Sequence, residues 1–247
     1  MRSWLPVLSL LSVAAAATPA CARDLTKLAV LGFAQDGSAF AFEQFGWQNA
    51  ASMPYSELTI VITATGTIAA GSPYTAAIVD GRATQASARS MSYTAARKAL
   101  TDLRIGDPGT IVAKASGDPN DPSALQASFD APGLGRLTVK LETAVVKSVG
   151  CDATGVKVKA LAIRLLDDKG TALRTIFKEK NPPAERQCPT GYALTEIRLL
   201  PRAGAPPALA MIVGMDRPRL GGTDRRYLGF VADLALPARA EAAESSH

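Results

Sequence analysis

The sequence predicts a mostly β fold, an antiparallel sandwich or partial propeller-like sheet with one covering helix. Three observations carry that expectation. Most of the chain consists of short runs of β-branched and aliphatic residues with partial alternation, the two-residue period of strands with one buried face. Clusters of Asp, Gly, Asn and Pro punctuate the runs, as tight turns require. Only residues 87–103 show the longer period of an amphipathic helix.

Strands are expected first at 28–33, 39–45 and 57–64. The first two are joined by Gln35-Asp36-Gly37-Ser38, where the aspartate can bond its own backbone and the glycine can take positive φ. The helix follows, behind a serine cap, with Met91, Ala95, Leu100 and Leu103 on one face. Packing over a sheet is preferred to a membrane-surface role. Further strands are expected at 110–114, 125–129, 135–149, 156–167 and 172–177, the last two joined by the turn Asp167-Asp168-Lys169-Gly170. Strands at 193–200, 208–214 and 226–234 complete the pattern, separated by proline-rich loops.

The ends read differently. Arg2, the apolar stretch 4–17 and Ala20-Cys21-Ala22 have the order of a secretory signal peptide, placing cleavage between Ala22 and Arg23. The stretch is too short for a permanent membrane helix. Cys21 invites a lipoprotein reading, which Thr18-Pro19-Ala20 disfavours because the usual branched aliphatic residue is missing. Residues 23–236 are then a single β-rich domain and 237–247, polar and alanine-rich, a disordered tail. The expected location is the periplasm or the exterior, with no transmembrane segment in the mature protein. Low aromatic content and irregular alternation also disfavour an outer-membrane barrel.

Lys and Arg number 27 against 22 Asp and Glu, and the leader removes only Arg2. The excess is mild and dispersed, so nucleic acid is not an expected partner. Cleavage would also remove Cys21, leaving Cys151 and Cys188 as an even pair suited to a disulfide in an oxidising compartment. Two unpaired buried thiols are the alternative.

Chemistry is limited by one fact: the only histidine is His247, in the tail. Histidine-dependent nucleophile systems and histidine-bearing zinc sites of ordinary spacing are thereby excluded, and no cofactor is expected. Asp118-Pro119-Asn120-Asp121-Pro122 reads as a proline-bounded turn rather than a calcium loop. Carboxylate catalysis would need Glu43 and a second acid, from Asp36, Glu57 or Asp224, facing each other across a cleft.

Phe40 and Phe42 are expected in the core, sharing one face of the second strand. Trp47 and Tyr55 flank an irregular stretch containing Gln48, Asn49 and Ser52, where both rings sealing the hairpin against the sheet is the preferred reading, and rings beside amides holding a sugar or a peptide is the functional one. Asp224, Arg225 and Arg226 lie in a glycine-rich turn; such a pair of arginines more often makes local salt bridges, but can also offer guanidinium groups to a carboxylate or phosphate, and at most one of them can point inward if they begin a strand. The ligand-binding candidates are therefore Glu43, Trp47, Tyr55, Asp224, Arg225 and Arg226. A non-catalytic binding module in the cell envelope is the preferred reading, with a glycan, peptide or protein as partner. A carboxylate-dependent glycan hydrolase and a structural or assembly protein are the alternatives.

The run from Gly32 to Glu43 looks like the strand, Asp-Gly turn and strand of propeller repeats, with a partial echo from Asp224 to Phe230. The echo suggests that the first and last hairpins are related or neighbouring. A longer resemblance is carried by the Phe33–Gly46 segment, Pro54-Tyr55, Cys188-Pro189-Thr190-Gly191-Tyr192 and Gly222-Thr223-Asp224-Arg225-Arg226. On these residues the chain resembles a family of uncharacterised predicted secreted proteins. The resemblance implies secretion, a paired cysteine and a shared fold, and brings no catalytic residues. Ala34-Gln35 and Trp47 to Ala50 depart from the family pattern.

Overall fold

The computed structural model describes residues 26–48, 53–148, 150–151, 155–219 and 222–235. The expected signal peptide with its cleavage site, the expected tail, and Asn49 and Ser52 of the aromatic-flanked stretch lie outside them. The described residues are mostly β, in three antiparallel sheets with one α-helix. β1 (Lys27–Ala34), β2 (Ala39–Gln48), β3 (Met53–Ile62) and β4 (Tyr74–Ala77) form a meander, to which β5 (Ile105–Asp107) adds beside β1. Helix α1 (Gln85–Asp102) lies between β4 and β5 in the chain. The second sheet is the meander β7 (Gln126–Ala131), β8 (Gly135–Val146), β9 (Val158–Leu166) and β10 (Ala172–Lys178). In the third, β6 (Thr110–Lys114) joins β11 (Gly191–Arg202), which pairs in turn with β12 (Ala205–Arg219), itself paired with β13 (Gly222–Asp233).

Side-chain direction stacks these sheets. Leu209, Met211, Val213 and Met215 of β12 pack with Leu137, Val139, Leu161 and Ile163 of the second sheet. Ala208, Ala210 and Ile212 point the other way, onto Phe33, Phe40 and Phe42 of the first. β12 is thus buried on both faces, which explains its nearly continuous apolar run. The far face of the first sheet, with Ala39, Ala41, Leu58 and Ile60, is covered by α1. The layers run second sheet, third sheet, first sheet, helix.

Phe40 and Phe42 are in the core as expected, Phe40 tilted against Phe33 with ring centroids 4.8 Å apart. The Asp36-Gly37 turn forms too: Gly37 has φ 71°, and Ser38 N donates to Asp36 Oδ1 at 2.9 Å. Strands β4 and β5 carried too few apolar residues to stand out as YTAA and IGD. The expected strand at 135–149 ends at Val146.

The helix needs a larger correction. It is capped by Thr84, whose hydroxyl accepts from Ser87 N at 3.1 Å, and it buries Ala88, Ser92 and Ala96. Met91 and Ala95 are exposed, while Leu100 and Leu103 do pack on the sheet. Small residues let the helix approach the sheet closely, and the polar contacts beneath it select that face over the one bearing Met91.

Candidate functional site

Glu43 is fully buried, on the face of β2 that meets α1. Arg89 of the helix donates from Nε to Oε1 and Oε2 at 3.0 and 3.1 Å and from Nη2 to Oε2 at 2.8 Å. The same guanidinium lies 4.0 Å from the centre of the Phe45 ring. Ser56 Oγ donates to Glu43 Oε1 at 2.8 Å and lies 2.6 Å from Ser92 Oγ. This is a clasp between sheet and helix. The carboxylate raises the Arg89 pKa, mainly through its hydrogen bonds, while burial first and Glu43 second raise that of Tyr93. Trp47, two positions beyond Phe45, leaves the strand on this same side and is 41% exposed.

The other face of β2 and β3 borders a cleft of about 690 Å³ against β12 and β13. Its apolar walls include Phe42, Val61, Leu228 and Phe230. Gln44 Nε2 donates to Glu57 Oε1 at 2.8 Å, while Gln44 Oε1 accepts from Tyr227 N at 2.9 Å, tying β2 to β13. The first and last hairpins are therefore neighbours. Tyr227 also lines the cleft, and burial raises its phenol pKa.

At the polar end, Asp224 of β13 is fully buried beneath three arginines. Arg217 Nη2, Arg226 Nε and Arg219 Nε stand 2.7, 3.1 and 3.4 Å from the same oxygen, Oδ2. Among the described residues, Asp224 Oδ1 accepts no hydrogen bond. Arg226 also lies 4.2 Å from the centre of the Tyr55 ring, and the Tyr55 hydroxyl is 2.6 Å from Thr26 Oγ1. Arg217, Arg226 and Tyr55 all line the cleft.

Arg225 faces the opposite way, as β alternation requires, and donates from Nε and Nη2 to Asp216 at 2.6 and 2.9 Å. That pairing raises its pKa. The turn at 118–122 closes on itself, Asp121 accepting from Ser116 and Ser123, whose hydroxyls hold the carboxyl below the usual range.

The structure thus brings Tyr55 and Arg226 together, with Asp224 behind Arg226. It puts Glu43 and Trp47 across the first sheet from them and Arg225 on the other side of β13. Glu43 also shares no cleft with Glu57 or Asp224, the arrangement that a hydrolase pair needs. Arg217, Gln44 and Phe177 are cleft residues that the sequence reading did not single out for binding. Asp216-Arg217-Pro218-Arg219 just before the last turn held a signal, since a hairpin there returns Arg217 opposite Asp224.

One wall of the cleft comes from the 183–187 segment, which Cys188 anchors through its disulfide to Cys151. Both cysteines are therefore paired. Residues 41–232 match the family described as Predicted secreted protein (DUF2259). The chain belongs to that family. No curated protein and no solved structure matches the chain. Among the described residues, no helix is long and apolar enough to cross a membrane.

Proposed function

We propose that this member of a predicted secreted family is a non-catalytic binding protein whose ligand occupies the cleft between the first and third sheets. The observation that carries the reading is the cleft itself: about 690 Å³, walled by apolar side chains, with Arg217, Arg226 and Tyr55 converging at one end. Small-molecule sites are typically apolar concavities of this size with a few placed polar groups. Two of the four acids named as catalytic candidates support it from the other side, because Glu43 and Asp224 are each buried in ion pairs. In this reading the chain is exported by the leader at 1–22, starts at Arg23 after cleavage, and acts in the periplasm or outside the cell.

The test is thermal unfolding of the oxidised mature protein with glycan fragments, envelope peptides, small anions and amphiphiles, beside a Thr75→Trp variant. Thr75 is exposed on edge strand β4 and lines the cleft, so the indole obstructs the cleft without disturbing the core. A ligand at a hundred times its Kd stabilises the native state by about 2.7 kcal/mol. That raises the midpoint by roughly 5 to 11 °C in a chain of this size. A rise that survives Thr75→Trp, or no rise with any class, would reject the cleft as the site.

A further inference from the structure

Resting on the cleft as the binding site, we infer that its ligand is an amphipathic anion: an oxyanion head held by Arg226 and Arg217, and an apolar body laid along Phe42, Val61, Leu228 and Phe230. The argument begins with charge. Two largely buried guanidinium groups, those of Arg217 and Arg226, meet one buried carboxylate, and their contacts with it fall on Oδ2. The side chains of Arg217 and Arg226 are only 10% and 8% exposed. Buried cations in excess of their counter-ions are costly, and an anion entering the cleft would relieve that cost.

The donors are also arranged for such a head. A guanidinium has five N–H groups in a planar fork. Arg226, a lining residue of the cleft, places Nε on Asp224 and one face on the Tyr55 ring, which fixes the plane of its guanidinium. A carboxylate is the shape that such a fork binds with two parallel hydrogen bonds. Two acids also border the cleft. Glu57 accepts from Gln44 Nε2 and Glu185 is exposed to solvent; among the described residues neither forms an ion pair with Arg217 or Arg226, whose carboxylate partner is Asp224. Beyond them the lining turns apolar and aromatic, Phe177 and Phe230 standing 4.7 Å apart between ring centroids. A small inorganic anion would leave those walls wet; an alkyl or aryl body would dry them.

The experiment is calorimetric titration of the oxidised mature protein with dodecanoate, dodecanol, dodecyltrimethylammonium and acetate, each below its aggregation limit. Dodecanoate should bind at least tenfold more tightly than dodecanol, with acetate and the cationic probe weaker still. Arg226→Gln should remove that tenfold preference, read as the ratio of the two Kd values on the variant itself, while Arg226→Lys keeps part of it. Because Arg226 is buried, the comparison of heads on the unmodified protein stands as the deciding measurement if the variants do not fold. Equal binding of dodecanol, or tighter binding of the cationic probe, overturns the anionic head and leaves the cleft reading intact. Acetate binding as tightly as dodecanoate overturns the apolar body. No binding of any probe overturns the inference, and dodecanoate binding unchanged by Thr75→Trp overturns the cleft reading with it.

Discussion

Gly229→Ala is the sharpest test of how the first and third sheets meet. A methyl group built on Gly229 would sit 2.5 Å from Phe42 Cε1 and 3.0 Å from Cδ1, well inside contact distance. Phe42 is 1% exposed and part of the core between the two sheets, so its ring has little room to retreat. Overpacking of this kind costs about 1–3 kcal/mol, and about 2 kcal/mol is expected here. In a chain of this size that lowers the midpoint by roughly 4–8 °C. Phe42→Leu removes the two ring atoms, Cε1 and Cζ, that stand 2.5 and 3.4 Å from the added methyl. Alone it should cost about 1–2 kcal/mol through lost transfer energy and a residual cavity. The double variant should then be scarcely less stable than Phe42→Leu, giving a coupling of about 2 kcal/mol by urea unfolding of all four proteins. Costs that add within about 0.5 kcal/mol, or a neutral Gly229→Ala, would mean that the β2–β13 packing described above is wrong.

Three further outcomes follow from other parts of the fold. Replacing Cys151 and Cys188 by serine opens a link between residues 37 apart and should cost about 4 kcal/mol on the chain-entropy account, read from urea midpoints. Arg89→Ala leaves the buried Glu43 carboxylate with Ser56 as its remaining side-chain partner, and should cost about 3 kcal/mol with early amide exchange in α1; slow exchange there would refute the clasp. Burial raises the phenol pKa values of Tyr192 and Tyr227, so an unfolded tyrosine, with a pKa near 10, loses its proton before the folded one. Their contribution to stability is full below about pH 10 and lost as pH rises further. Urea midpoints from pH 8 to 11 should fall at the alkaline end, and less steeply in Tyr192→Phe.

Much of the fold is legible in the residues themselves. Runs such as GRLTVKLE in β8 alternate strictly because one face of the second sheet is wet, and the period announces the strand. β12 was legible for the opposite reason, as a run with no polar face. β4 and β5 escaped notice because short edge strands draw their order from the neighbour they pair with. The rotation of α1 escaped too, since an alanine-rich helix presents several weakly apolar faces and a buried Glu43–Arg89 pair chose between them.

By itself, the sequence determined the β class, the two Asp-Gly-type turns, the Phe40–Phe42 core face and the cysteine pair. It also determined what chemistry was excluded, through its single terminal histidine. These depend on local period, turn chemistry and counting, which need no partner. Which candidate residues meet was decided only by the tertiary structure. Glu43 and Gln44 are adjacent in sequence, yet one faces the helix and the other the cleft; Arg225 and Arg226 divide in the same way. The cleft exists because β2 and β3 pack across β12 and β13, elements more than a hundred residues apart. Residues that far apart become neighbours through the stacking of apolar faces, and a linear reading of side-chain chemistry carries no distance between them.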